Sequence, residues 1–360
     1  MKLKTLLLGS AAALMAVTGA RAADAVIAEP EPVEYVRVCD MYGAGFYYIP
    51  GTETCLRFDG YVRVDFTKNT DVPVAGTPAS FRLDDATGLI VPVPAVAGRT
   101  TDNSRWDYRV RVNIDARNET DWGTLRSQVR LQADGDGGPD AAVGIDRALI
   151  SLSADGGEVR LGYSDAWNTT FHGYGTYNEK YDGGTFYAYD QAIFFDYTYA
   201  ANGFTATAGI QSSVGNDADN DHVNMDYYAG VGYTGSWGGA RISYLHEDVT
   251  DEGYIKASVD LNLIENLAIR GVLLWDGEDG ADSTAAVAAG DYHYLVGARY
   301  TFSPEWSADI NYHGSDDDSV VQDEITVGVR WNPVPGLSIR PTAAFRDDTN
   351  SYSLRVYRTW

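Results

Sequence analysis

The last third of the chain alternates between apolar and polar side chains in segments of about ten residues, and this restricts the fold more than any other feature. Tyr294, Val296, Ala298, Tyr300 and Phe302 share one face. Ser303-Pro304-Glu305 turns the chain, and Trp306, Ala308, Ile310 and Tyr312 then alternate with Ser307, Asp309, Asn311 and His313. After an acidic loop, Gly314 to Gln322, come Ile325, Val327, Val329 and Trp331 on one face, the tight turn Pro333 to Gly336, and then Leu337, Ile339, Ala343 and Phe345. A second acidic loop, Asp347 to Asn350, precedes Tyr352, Leu354, Val356 and Trp360. A helix would repeat its apolar positions every three to four residues, so these are strands. The turns between them are short and long by turns.

Followed backward, that order does not break. Short turns fall at Pro333–Gly336, Ser303–Glu305, Ile264–Asn266, Gly235–Trp237, Ala200–Gly203, Ser153–Gly157 and Thr120–Trp122. Longer loops fall near 347–350, 314–322, 276–290, 246–253, 214–224, 164–190, 134–141 and 67–104. The segments between them number about 16, an even count. The expected fold is all-β, a 16-stranded antiparallel transmembrane β-barrel over residues 57–360, with short periplasmic turns and long outer loops. A soluble sandwich of strands has no reason to keep turn lengths in this order. Val143 to Leu152 alternates poorly, so its register is open. A mean hydropathy of −0.25 does not oppose the reading, because barrel strands carry only half their residues toward lipid. The 25 Tyr and 8 Trp suit strands and the two bilayer interfaces.

The N-terminus reads as an export signal over residues 1–22. Met1, Lys2 and Lys4 form a basic start, Leu6 to Val17 an apolar stretch too short to span a bilayer, and Ala20-Arg21-Ala22 a small-x-small cleavage pattern. Residues 23–56 are a separate N-terminal segment. Its cysteines, Cys39 and Cys55, are the only two in the chain. In an exported protein they suggest a disulfide closing Met41 to Thr54 into a loop, two free thiols being the alternative. The net charge of −24 argues against nucleic acid as a partner. Acidic loops could hold divalent cations at a surface of outer-membrane lipid and lipopolysaccharide, although a plain solvated surface also accounts for them.

A barrel of this size encloses water, so its polar face is the candidate functional face. On the early strands that face carries Arg57, Arg63, Arg109, Arg111, Arg126, Arg130 and Arg160. Each would cost about 2–4 kcal/mol at the bilayer midplane if it faced lipid, so all seven are expected to line the lumen. The loop Ser164 to Asp190 carries Asp165, Glu179, Asp182 and Asp190 among many aromatics. A long loop is entropically expensive unless it packs, so this one is expected to fold inward and set its acids opposite the arginines, at a constriction. An exposed loop that leaves the pore untouched is the alternative.

The run Val33-Glu34-Tyr35-Val36-Arg37-Val38-Cys39-Asp40 is followed by Tyr42-Gly43-Ala44-Gly45-Phe46 and by Ile49-Pro50-Gly51-Thr52-Glu53-Thr54-Cys55-Leu56-Arg57. With Gly60-Tyr61-Val62-Arg63 and the signal segment Leu6 to Leu14, it resembles the start of porins of the alphaproteobacterial (Rhizobiales/Brucella-type) family. The resemblance is specific over about the first 65 residues and architectural afterwards; the stretch Lys68 to Asn103 matches nothing in that pattern. It implies a homotrimer of 16-stranded barrels in the outer membrane, general diffusion of small hydrophilic solutes and ions, and a third outer loop that narrows each pore. It also implies that Trp360 is read by the barrel-assembly machinery; Arg358 departs from the usual apolar residue nearby.

Enzyme chemistry has little support. The five histidines, His172, His222, His246, His293 and His313, fall into no nucleophile or metal-ligand spacing. Asp134 to Asp140 has calcium-loop residues but lacks the distal Glu. No cofactor or metal is expected. Two alternatives to general diffusion are a structural or adhesive surface barrel with little flux, which would pair its lumen charges tightly, and a substrate-selective porin.

Overall fold

Alternating side chains leave every backbone N–H and C=O free for a neighbouring strand, and only closure of the sheet satisfies all of them in lipid. The computed structural model describes residues 37–74, 80–83, 90–93, 95, 97, 99–136, 141–165, 167–173, 177, 191–212, 225–248, 251–276, 292–315, 323–347 and 349–360. From residue 38 onward it is one compact unit.

Sixteen antiparallel strands form the ring. They are β1 (Cys55–Val74), β2 (Arg99–Thr120), β3 (Gly123–Gly135), β4 (Val143–Ala154), β5 (Gly157–Asp165), β6 (Gln191–Ala201), β7 (Phe204–Ser212) and β8 (Met225–Gly235), then β9 (Gly238–Glu247), β10 (Glu252–Ile264), β11 (Leu267–Asp276), β12 (Tyr292–Thr301), β13 (Trp306–Ser315), β14 (Glu324–Val334), β15 (Leu337–Phe345) and β16 (Asn350–Thr359). Each pairs with the next, and β16 pairs with β1 from Asn350↔Thr70 to Thr359↔Tyr61, which closes the barrel. All seven short turns fall where the sequence puts them. Two are two-residue hairpins with both central residues at positive φ, Asp155-Gly156 (50° and 82°) and Asn202-Gly203 (51° and 82°), the geometry that matches strand twist.

Every strand turns at least one large apolar side chain outward, from Phe58 and Val64 on β1 to Leu354 and Val356 on β16. In water this belt would be costly; against acyl chains it is the fold's solvent contact. Arg358, on the outward face, donates to the Pro335 carbonyl at 3.2 Å, so its charge sits at a turn.

Four features differ from the sequence reading. The stretch 67–104 is not one loop: β1 and β2 run to 20 and 22 residues, well into it, because their ladder continues past Thr70, where pairing with β16 stops, through Val72↔Thr101 to Val74↔Arg99, and Ser80–Leu83 pairs with Ile90–Val93. Strand β5 continues through Ser164 to Asp165, so Asp165 belongs to the wall rather than to the loop. The chain does contain a helix, α1 (Trp167–His172), too short for periodicity to reveal. The weak alternation in β4 is a β-bulge: Arg130 faces Arg147 and Leu131 faces Ile145, leaving Asp146 as the extra residue.

Candidate pore lining and constriction

Helix α1 follows β5, yet it packs on β9 and β10, so it reaches the far wall through the barrel interior. Trp167 stacks on Tyr228 at 4.5 Å and on Phe171 at 4.8 Å, and is buried with Leu245, Tyr254 and Leu274. Those wall residues point inward, opposite Tyr227, Tyr244 and Leu273, which are exposed on the outer surface. Apolar side chains on the inside of a wet barrel need a cover, and α1 supplies it. Gly230 makes the room: a Cβ there would lie 2.7 Å from Trp167 Cη2 and 2.9 Å from Phe171 Cε1. At the end of α1, His172 bonds through Nδ1 to Ser258 Oγ at 2.8 Å and through Nε2 to Ser243 Oγ at 2.7 Å, and Arg270 donates to its carbonyl. Burial, reinforced by Lys256, Arg241 and Arg270, pushes the His172 pKa down to about 2, so the ring is neutral. Further along, Arg299 donates to the Tyr177 carbonyl at 2.6 Å and lies 4.4 Å above its ring, and the Tyr177 amide donates to Asn311 Oδ1 at 3.4 Å. Trp167–Gly173 and Tyr177 thus lie in the interior, set against wall residues of β8 to β13.

Inward parity carries around the ring by pairing register, and it places all seven arginines on the lumen face. Each has a carboxylate beside it. Arg57 Nε lies 3.0 Å from Asp59, Arg63 Nε 3.0 Å from Asp65, Arg111 3.4 Å from Asp146, Arg126 2.8 Å from Asp115, and Arg160 2.6 Å from Asp196. Arg109 bonds Asp134, and Arg130 bridges Asp146 at 3.1 Å and Asp165 at 3.3 Å. Among the described residues, the carboxylate of each of these pairs stands on the wall, Asp165 at the end of β5 included. Inward side chains two residues apart, or directly across a ladder, are the nearest neighbours a strand offers. Glu179, Asp182 and Asp190 lie outside the described residues. The seven arginine side chains keep 12–32 % of their surface exposed, so the pairs are not sealed off from the lumen.

The sequence reading missed the bulge pair. Because of the extra residue, Asp146 and Arg147 both reach the lumen side. Asp146 accepts from Gln191 at 2.9 Å as well as from its arginines, and Arg147 donates to Ser164 at 2.8 Å, Gln128 at 3.2 Å and Asp165 at 3.3 Å. The signal was present: outward parity is odd at Val143 and Ile145 and even at Ile150, which requires one inserted residue between them. Arg117, Asp115 and Asp196 could have been read from the alternation already used for their neighbours. Between this wall and α1 lies a recess of about 360 Å³, lined by Arg126, Arg130, Arg147, Arg160, Asp165 and Trp167 among others.

At the short-turn end, Cys39 and Cys55 are joined as a disulfide with their Cα atoms 6.0 Å apart. Trp360 donates its amide to Gly60 at 3.3 Å, and its side chain is exposed.

A closed ring with an apolar outer belt and a charged interior partly crossed by one inward segment defines a class: a transmembrane β-barrel channel. A family profile described as "Porin subfamily" matches residues 24–359, and the chain belongs to that family. It is 32% identical to Porin Omp2a of Brucella melitensis biotype 1, over 96% of this chain and 93% of that one. It is also 32% identical to Porin Omp2b of Brucella abortus, over 96% and 92%. Among solved structures, a mutant of the Rh. blastica porin superposes with a TM-score of 0.60 at 15% identity, covering 85% of this chain and all of that one. Salmonella typhi OmpF, in complex with daunomycin, superposes with a TM-score of 0.63 at 11% identity, covering 86% and 98%. The protein is a multi-pass bacterial outer-membrane porin, a channel protein that provides general diffusion.

Proposed function

We propose that solutes and ions cross this barrel through a narrowing formed by the α1 segment on one side and the wall of β1–β5 on the other. Arg63, Arg109, Arg111, Arg126, Arg130 and Arg160, with Asp165, line the path, and Arg57 lies nearer the short-turn mouth. The observation that carries the reading is the docking of α1 on inward-facing β8–β11, which puts a covered apolar patch inside an otherwise charged tube. General diffusion suits a lumen whose charges are already paired: no fixed ligand is needed to neutralise them, while the exposed heads still act on passing ions. Tight pairing was the feature expected of a closed adhesive barrel, but these side chains remain partly exposed. The protein works as a homotrimer, sits in outer-membrane lipid with lipopolysaccharide around its acidic outer loops, and is inserted by the barrel-assembly machinery through its terminal Trp360. Residues 1–22 are removed on export, and 164–190 is the constriction loop.

Purified protein in planar bilayers should give ohmic channels of nanosiemens order, with no saturation by any single sugar. Absence of conductance would sink the channel reading, and saturation by one solute would replace general diffusion with a selective pore.

A further inference from the structure

The short-turn mouth of the barrel holds an element the pore reading does not use. The chain enters as a hairpin, Tyr47 pairing with Leu56 and Tyr48 with Cys55. This hairpin occupies the edge of β1 left open where β16 ends at Thr359↔Tyr61. Covering an edge requires only those backbone bonds. The side chains do more. Cys55 shares the inward parity of Arg57, and Cys39, Phe46 and Cys55 are fully buried together against that inner face. The Phe46 ring lies 4.9 Å from the Arg57 guanidinium and 5.0 Å from that of Arg117, and Arg117 also lies 5.6 Å from the Tyr42 ring. Tyr42 donates its hydroxyl to Glu119 at 2.7 Å, beside the Thr120–Gly123 turn. Every one of these partners is on the lumen side of β1 and β2. The loop from Asp40 to Gly45 is therefore laid over the inner wall, with Met41 and Ala44 exposed.

We infer that this disulfide-closed loop is a second narrowing of the channel, at its periplasmic mouth, and that Phe46 and Tyr42 are positioning residues holding the Arg57 and Arg117 heads at that point. The inference rests on the channel reading. Arg57, Arg117 and Arg126 share one buried carboxylate, Asp115, at 3.9, 2.7 and 2.8 Å. Arg126 lines the recess beneath α1, so the mouth and the inner narrowing are joined through one ion cluster. Aromatic faces over guanidiniums fix their direction, since the ring quadrupole and the carboxylate pull the cation along one line. The disulfide removes the freedom by which the loop could swing clear of the opening.

The test uses full-length protein inserted into planar bilayers from one chamber, so that orientation is uniform. Neutral polyethylene glycols of graded size are added to one chamber at a time in 1 M salt, where charge effects are screened to about 3 Å and width dominates. Phe46→Ala should raise unitary conductance and lose the exclusion of the smallest excluded polymer from the short-turn side only. Ala44→Trp, which adds bulk on the exposed surface of the loop and leaves its buried anchors in place, should lower conductance and exclude smaller polymers from that same side. If wild type conducts and both folded variants show unchanged polymer access, or a change only from the outer-loop side, the second narrowing does not exist. If wild type does not conduct, the channel reading fails first. If Phe46→Ala does not assemble, Ala44→Trp alone decides.

Discussion

Trp167→Ala tests the inner constriction most directly. The Trp side chain buries on the order of 200 Å² in its seat on Tyr228, Leu245, Tyr254 and Leu274. At about 25 cal/mol per Å² this contributes about 5 kcal/mol, in line with about 3–5 kcal/mol for Trp→Ala truncations in protein cores. The two His172 hydrogen bonds contribute about 1 kcal/mol each. Against them stands the ordering of the six α1 residues, at about 1–2 kcal/mol per residue. The docked state depends on Trp167, and its removal should let α1 leave the wall. Single-channel recordings in 1 M salt should then show higher conductance and more open-channel noise, with the barrel's heat-modifiable gel migration unchanged. Wild-type conductance and noise in a folded Trp167→Ala barrel would refute the docking argument.

Further predictions concern charge and pH. His172 is held neutral well below its ordinary value of 6.5, so α1 docking is fully present above pH 6.5. It weakens by about 1.4 kcal/mol for each pH unit as the pH falls below that, because only the released ring takes a proton. Channel noise should rise between pH 6.5 and 4, and His172→Gln should flatten that profile. Neutralising Arg109 and Arg111 to Gln should move the reversal potential toward cations at 0.1 M salt, where the screening length is about 10 Å; an unchanged potential would place them outside the ion path. Asp146→Asn should move it the opposite way, since Arg111 and Arg130 both lose their shared carboxylate. Gly230→Val, which forces methyls against Trp167 and Phe171, should reproduce the Trp167→Ala conductance from the wall side.

Strand period, turn parity and the inward face of each arginine were legible along the chain because they are local: one residue decides which face the next one takes. Even the β4 bulge left a local trace, a change of outward parity between Ile145 and Ile150. Who meets whom is not local. That Arg130 and Arg147 share Asp165, that Asp115 gathers three arginines, and that the Phe46 ring lies beside Arg57 and Arg117 depend on barrel curvature and stagger, which bring residues of several strands to one level. The seat of α1 depends on them too. Tyr228, Leu245, Tyr254 and Leu274 break the polar lumen pattern on four successive strands, and in sequence each looks like an isolated irregularity. The ladder of successive hairpins sets Tyr228 opposite Leu245 and Leu245 opposite Tyr254, and only the curved tertiary fold brings over them a six-residue helix whose hydrophobic partners lie about sixty to a hundred residues further along the chain.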